Sequence, residues 1–545
     1  MARTTQESVG EGNMEAIQIQ IRTHESAIAI IDDEICGLMR AVRQLQFEKL
    51  KHSEGIRYYK GLITLARRLP CEILASIFEM CVQDGYTKTP LVVSHVCAQW
   101  RKATSFPSVW SHIYVDLDDH DPFNRTRFWL ARAGNSGLRI TLEIRQDQTR
   151  LLDVINLLLE KRNQWQILTI NSALLANVNR TLIACAGLFL QLHTLHVSVL
   201  QEFNDSDGQG DDDIDMELAG LRTALQDAPK LSTVHLVRNV LPAPSTLPSS
   251  ITNLSLVLPS YHFTFNLSIE SVLWVLEELR HLEKFSMVLP AGTIRAFEPA
   301  EDMGRLVSLP HLYTITLIGW RDMYSLLSHL VTPRLKFLHL RSPDDLGSAP
   351  DEGTGRCLLL FLVRASPPLE ELELRDADIP ASYLIQCFSR LSQLKTLRLH
   401  ESEISDDVLF ELYGPNGLCP LLSVLDFRWC GYFTGRALVG LVRSRLHLDA
   451  RISRTNACTL PDAIAKVTVI YCSFVQAQDI ADLASLTLCQ VVVDSTDYCR
   501  ECSGWVNLSP NLSTSFEGTL GCCANGRYRK RLALEGVGRT GRLII

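Results

Sequence analysis

The chain has 545 residues, 46% of them hydrophobic and 21% charged, with a formal net charge of −8. This is the composition of an ordinary globular chain; at roughly 100–200 residues per domain it leaves room for several domains, or for one small domain and a long repeat array. The slight acidity supplies no concentrated basic face, so no nucleic-acid partner is expected. Apolar runs such as 358–363 fall far short of the ~20 residues of a membrane span, so no membrane partner is expected either.

The first fifteen residues are polar and lead into no apolar h-region, so no export signal is expected. The sixteen cysteines are then expected to be free thiols of a reducing compartment, cytoplasmic or nuclear. Residues 1–12 read as disordered. From Ile17 an apolar spacing of four and three begins: Ile17, Ile21, His24, Ile28, Ile31, Ile35, Leu38, Val42, Leu45, Lys49. Its average is the coiled-coil period, and it predicts a heptad helix over 13–62. Ile21, Ile28, Ile35 and Val42 fall at a, and Ile17, His24, Ile31, Leu38 and Leu45 at d. Two readings stand: self-association through residues 17–49, or one amphipathic helix packed on its own protein.

Residues 69–110 carry the densest signal. Leu69-Pro70 precedes Glu72-Ile73-Leu74 and Ile77-Phe78. Proline is tolerated in a first helical turn, where its missing amide would be unpaired anyway. Ile73, Leu74, Ile77, Phe78 and Cys81 make one apolar stripe at helical spacing. A turn at Asp84-Gly85 follows. A second helix after Pro90 carries Leu91, Val92, Val96, Cys97 and Trp100, and Trp110 and Ile113 close the unit. A unit of about 45 residues buries too little surface to be comfortably stable alone, so a partner surface is expected.

This order of anchors closely resembles the F-box family: Leu-Pro-x-Glu-Ile-Leu-x-x-Ile-Phe, then Val96-Cys97-x-x-Trp100-Arg101, then Trp110. The resemblance implies docking on a Skp-type adaptor, and through it on a cullin scaffold. Carried over, the contact or supporting residues are Leu69, Pro70, Glu72, Ile73, Leu74, Ile77, Phe78, Leu91, Val96 and Trp100. The plainer reading makes Val96, Trp100 and Trp110 internal core. The order of parts is also similar to F-box proteins of mushroom-forming fungi: a heptad helix, Tyr58-Tyr59, Arg67-Arg68-Leu69-Pro70, Phe128 to Ala133, then Leu138 to Leu142.

Further on, apolar-x-x-apolar-x-apolar keeps returning. It occurs at Trp165/Leu168/Ile170, Leu192/Leu195/Val197, Leu231/Val234/Leu236, Ile251/Leu254/Leu256, Leu282/Phe285/Met287 and Leu312/Ile315/Leu317. It continues at Leu335/Leu338/Leu340, Leu369/Leu372/Leu374, Leu394/Leu397/Leu399 and Leu422/Leu425/Phe427, with a weaker copy at Ile464/Val467/Val469. The last two apolar residues fit one face of a short strand. Helical patterns such as 271–280 and 406–412 lie between strands. Units this short bury their apolar faces only by stacking, which predicts a solenoid. The later copies resemble leucine-rich repeats of the cysteine-containing kind: Leu422-x-x-Leu425-x-Phe427-x-x-Cys430-Gly431, Val467-x-Val469-x-x-Cys472, and Leu394 to Leu399 with Ser402 in place of cysteine.

Other chemistry is sparse. Seven acidic residues between Asp205 and Glu217 read as a solvated loop whose flanks do not suit a calcium hand. Cys499, Cys502, Cys522 and Cys523 allow a zinc site, a redox pair or plain thiols, the adjacent pair being poor ligand spacing. No phosphate loop, dinucleotide fingerprint, zincin helix or nucleophile elbow is present. No catalytic residue, cofactor or metal is therefore expected, and the scattered histidines read as strand-surface residues.

The expected architecture is α plus α/β. A coiled-coil-like helix precedes a small helical F-box at 63–115 and a linker and cap at 116–160. A leucine-rich-repeat-like solenoid follows at 161–485, a curved parallel sheet with helices on its outer side, then a C-terminal cap and tail at 486–545. The resemblances imply a substrate-recognition adaptor of a Skp–cullin–F-box ubiquitin ligase, with the repeats binding a protein substrate. A repeat scaffold without a role in degradation is the alternative. Specificity would sit at exposed strand positions, with Glu371, Glu373, Lys395, Arg398, Asp426 and Arg428 as candidates.

Overall fold

A computed structural model describes residues 11–63, 69–145, 150–200, 227–238, 247–258, 268–289, 304–319, 321–342, 352–377, 379–414, 416–446 and 462–492. The acidic stretch Asp205–Glu217 and the four cysteines Cys499, Cys502, Cys522 and Cys523 lie outside these residues, as do 1–10 and 493–545. The chain divides into two compact units, Met1–Ile77 with Val93–Ala103, and Phe78–Val92 with Thr104–Ile545. No helix among the described residues is long and apolar enough to cross a membrane.

The first unit holds the helix Glu11–Ile63, 53 residues long, where the heptads predict a helix over 13–62. It also holds the start of the helix Cys71–Gln83 and the short helix Ala98–Ala103. Gln99 Nε2 donates to the Leu69 carbonyl at 2.8 Å, tying the Leu-Pro start to that short helix.

Among the described residues, the second unit is built on one parallel sheet of fourteen strands, which follow one another in chain order. Its strands are β1 (His112–Asp116), β2 (Leu138–Ile144), β3 (Trp165–Ser172), β4 (Thr194–Val199), β5 (Thr233–Val237), β6 (Asn253–Val257) and β7 (Lys284–Val288). They continue, past a short β8 (Val307–Ser308), with β9 (Thr314–Ile318), then past a short β10 (Leu330–Val331) with β11 (Phe337–Arg341) and β12 (Glu371–Arg375). The last are β13 (Thr396–His400), β14 (Val424–Arg428), β15 (Lys466–Ile470) and β16 (Leu488–Val492). β8 and β10 pair with each other in a separate ribbon.

All eleven copies of the apolar motif fall on strands of this sheet. Three strands lie outside 161–485. β1 and β2 come before it and β16 after it, so the sheet overruns the sequence boundaries at both ends. The leading position, three before the first residue of the alternating apolar pair, is Trp110 for β1, Gly137 for β2 and Leu486 for β16, so only β2 lacks an apolar lead. Parallel pairing sets Ile113 beside Ile140 and Val115 beside Leu142.

The register aligns the motif from strand to strand. Leu338 pairs with Leu372, Leu372 with Leu397, Leu397 with Leu425 and Leu425 with Val467. Two residues on, Leu340, Leu374, Leu399, Phe427 and Val469 make a second row. The leading leucines, such as Leu335, Leu369, Leu394 and Leu422, are also buried. Fully burying each such side chain is worth about 1.5–3 kcal/mol, so the rows dominate the energetics. Successive helices pack on one another: Glu352–Ala365 on Ala381–Phe388, that on Asp406–Phe410, then Gly435–Leu446 and Ala477–Leu486. Their inward residues, among them Leu358, Phe361, Leu384, Val408, Leu438 and Leu483, are buried.

Each late strand leaves the sheet in the same way. Asp376, Glu401, Trp429 and Tyr471 directly follow β12, β13, β14 and β15, and all four have φ near +50°. That conformation is costly for a residue with a Cβ. It is held by the continued ladder: Asp376 donates to the His400 carbonyl at 2.9 Å, Glu401 to Arg428 at 2.7 Å and Trp429 to Ile470 at 2.8 Å. In the next loop positions Cys430 Sγ donates to the Leu399 carbonyl at 3.2 Å and Cys472 Sγ to the Phe427 carbonyl at 3.6 Å. Ser402 holds the equivalent place after β13. Its Oγ donates to the His400 carbonyl at 3.5 Å.

Arg445, in the helix Gly435–Leu446, is 1% exposed. Its Nε and Nη2 donate to the Leu412 carbonyl at 3.0 and 2.8 Å, Nη2 to Leu418 at 2.8 Å, and Nη1 to Cys419 at 3.1 Å and Leu422 at 3.3 Å. One guanidinium thus satisfies the backbone of a whole connection. An unpaired buried carbonyl costs about 1–3 kcal/mol. Arg445→Met is expected to lower the unfolding free energy by about 3 kcal/mol or more in urea titration, and Arg445→Lys by less, because an ammonium reaches fewer carbonyls.

Candidate functional site

Two features stand apart from the core: an apolar helix row near residue 70 and the polar face of the sheet. The helix Cys71–Gln83 begins directly after Pro70, whose carbonyl accepts from the Leu74 amide at 3.1 Å. Glu72 lies in its first turn, where a negative charge suits the helix dipole. Its apolar residues separate into two rows at helical spacing. Leu74, Ala75, Phe78 and Val82 are buried, whereas Ile73, Ile77 and Met80 are exposed.

The ten F-box candidates therefore fall into three groups. Pro70, Glu72, Ile73, Ile77 and Val96 are exposed; Leu69, Leu91 and Trp100 are half-buried; Leu74 and Phe78 are interior and support the helix from behind. Trp110 is interior too. Its Nε1 donates to the Thr104 carbonyl at 2.6 Å, and its ring meets Trp129 edge-on at 5.2 Å. Met80, Val92 and Tyr86 are exposed apolar residues that the motif did not single out. Continuing the spacing from Ile73 and Ile77 would have found Met80.

The centre of each strand contributes one residue to a row across the sheet between the two apolar rows. From β1 to β9 this row runs Tyr114, Thr141, Thr169, His196, His235, Ser255, Ser286 and Thr316. From β11 to β15 it runs His339, Glu373, Arg398, Asp426 and Thr468. The first part is short and neutral. His196 and His235 lie 5.8 Å apart, and burial holds both below the ordinary histidine range, His196 down to about 4.

The later part is charged and paired with itself. Arg341 Nη2 donates to Glu373 Oε2 at 3.0 Å, with its Nε 2.7 Å from Oε1. His339 Nε2 lies 3.2 Å from Glu371 Oε1. Arg398 Nη1 is 3.6 Å from Glu371 and 3.9 Å from Glu373. Arg428 grips Asp426 through two bonds of 2.9 Å, and His400 Nε2 stands 3.7 Å from the same carboxylate. Burial pushes the Asp426 carboxyl up, but the hydrogen bonds and charges of His400 and Arg428 outweigh it and hold it well below the carboxylate range. Burial likewise raises Glu373, and Arg341 and His400 bring it net down. Glu371 is lowered by its hydrogen bond to His339.

The sequence expectation that all six specificity candidates are exposed is corrected in part. Glu373 is 2%, Asp426 7% and Arg428 8% exposed, each committed to an internal ion pair. Glu371 and Arg398 are half-buried. Lys395 is exposed and precedes its strand; it bonds Glu370 at 2.9 Å, which also pairs Lys336 at 2.9 Å. Alternation puts these residues on the polar face, but neighbouring strands of long side chains cover one another, a cross-strand effect that no single strand reveals.

His339, Glu371 and Glu373 have ligand atoms within 4.8 Å of one another. Arg341 and Arg398 already hold both carboxylates, so a cation there would have to displace or face two guanidiniums. The donor set thus fits an ion-pair network better than a metal. The described cysteines are free, and burial pushes Cys185, Cys387 and Cys419 up to about 12, so these thiols are protonated and unreactive. No protein-family model matches the chain, and no curated protein matches it.

The depressed carboxylates give a sign to the pH dependence. Their contribution is full above the unfolded carboxylate pKa near 4 and is lost as pH falls toward the lower folded value. Asp426→Asn is expected to cost about 3 kcal/mol at pH 7, since it removes the anion of a buried ion pair. It should also flatten the loss of stability between pH 5 and pH 3, measured by urea unfolding at several pH values; an unchanged slope would show that Asp426 does not drive it.

Proposed function

We propose that this chain is a non-catalytic substrate-recognition adaptor of a Skp–cullin–F-box ubiquitin ligase. Residues 69–110 would be its F-box, and the sheet and its helices a leucine-rich-repeat-like solenoid that binds a protein substrate. The observation that carries the reading is the helix Cys71–Gln83. Directly after Leu69-Pro70 it turns Ile73, Ile77 and Met80 to solvent, while Leu74 and Phe78 are buried behind them. An apolar row of this kind, on a segment whose residues follow the F-box order, is a docking surface by default. The repeat reading draws support from the in-register strands, the recurring left-handed residue after each late strand, and the Ser402, Cys430 and Cys472 donors.

Within this reading the adaptor meets Pro70, Ile73, Ile77 and Val96, with Leu69, Leu91 and Trp100 at the edge of the contact. The substrate surface is the polar face of the sheet. Its neutral part offers the half-buried His235 and Ser255 for hydrogen bonds without first breaking an ion pair. Its charged part offers Lys395 and Arg398 for exchange with acidic groups.

Capture of a Skp-type adaptor by the full chain tests the first half. An Ile73→Glu/Ile77→Glu variant is expected to lose binding at least tenfold with unchanged thermal unfolding, because both residues are exposed and a charge in an apolar contact is costly. A Leu69→Ala/Pro70→Ala variant should weaken capture less. No capture by the parent chain would refute the F-box assignment. If the adaptor is captured but no cellular protein gains half-life when Ile73 and Ile77 are replaced, the chain is a scaffold without a degradation role.

A further inference from the structure

The helix Glu11–Ile63 is about 80 Å long at 1.5 Å per residue. Between Met14 and Lys60 every side chain is exposed apart from the half-covered glycines 37 and 55. Isolated helices are marginal in water, and protein helices draw most of their stability from packing an apolar face. Here that face is uncovered: Ile17, Ile21, Ile28, Ile31, Ile35, Leu38, Val42 and Leu45 are each 47–64% exposed.

We propose that a second copy of this chain covers the face, in a parallel, in-register two-stranded coiled coil over residues 17–49. The polar breaks argue for self-pairing. His24 sits at a d position, and only in register does it meet its own counterpart. A slip of one heptad sets it against Ile17 or Ile31 and spoils an apolar layer, which is how a lone polar core residue fixes register. The β-branched residues at every apolar a position, Ile21, Ile28, Ile35 and Val42, favour two parallel strands.

The charges flanking the seam select the same orientation. In a parallel pair each g residue faces the partner's e residue of the next heptad. Ala27 then meets Asp32, Glu34 meets Met39 and Glu48 meets Ser53, so no acidic residue faces another. The antiparallel alignment that keeps the central layers, Ile28 on Leu38 and Ile31 on Ile35, sets Asp32 on Asp32 and Glu34 on Glu34. Like charges across the seam disfavour it. The inference does not rest on the adaptor reading. If both hold, each assembly presents two F-box segments and two sheets, and binding to a multivalent substrate gains from the second site.

Sedimentation of the full chain at micromolar concentration tests this. The expected mass is twice 61.2 kDa. Ile28→Lys/Ile35→Lys should sediment as one chain, with sheet circular dichroism unchanged because the exposed helix supports nothing else. His24→Ile should lower the dimer dissociation constant at least tenfold. Leu38→Cys should form covalent dimers under mild oxidation in clear excess over the parent, since only a parallel register brings the two positions together. The proposal fails if the parent is monomeric, which would point to a foreign helix as occupant. It also fails if the parent forms trimers or larger, if the lysine variant stays dimeric, or if Leu38→Cys cross-links no better than the parent.

Discussion

Fourteen strands hydrogen-bond in parallel with one shared register, and the rest of the second unit depends on that register. A parallel ladder stacks equivalent residues of successive strands on one another. Every strand must therefore bring an apolar residue to the same two rows. One polar residue at either place would sit between two apolar neighbours with no partner. The leading leucine before each strand, the helices behind and the buried Arg445 all follow from this, because each closes backbone or apolar surface that the ladder leaves open.

The same register explains why the other face is polar yet poorly exposed. Residues between the two apolar rows must face away from the helices. On β11 to β14 they are long and charged, and neighbouring strands place opposite charges side by side. Glu373 is gripped by Arg341 one strand away, while Asp426 is held by Arg428 of its own strand and faces His400 one strand away at 3.7 Å. The face neutralises itself there, whereas its earlier part is short and neutral, with Ser286 and Thr316 buried.

The Leu-Pro segment and the heptad helix obey a different rule. Each has more apolar surface than its own unit covers. On the helix Cys71–Gln83 one row is buried and the other, Ile73, Ile77 and Met80, faces solvent. On the helix Glu11–Ile63 the whole seam faces solvent. A chain gains nothing from exposing regularly spaced apolar rows of this kind alone.

The sequence by itself determined the helix over the heptads, the helix after Pro70 and the strands that carry the apolar motif. These are local features, set by spacings of two and of three to four residues that any short window contains. The single helix expected from Leu91 to Trp100 is instead two, Thr89–Ser94 and Ala98–Ala103, parted at Val96 and Cys97. The sequence also marked the cysteine and serine positions after β13, β14 and β15, which recur at a fixed place after each strand, although Cys430 and Cys472 bond carbonyls of the strand before. Tertiary structure alone decided that β1, β2 and β16 join the sheet, since strand pairing is a contact with a neighbouring strand. It decided that Glu373, Asp426 and Arg428 are buried, since their cover comes from residues one strand away. It also separated Ile73 and Ile77 from Leu74 and Phe78, for a stripe shows that residues share a side of a helix, and only packing shows which part of that side is covered.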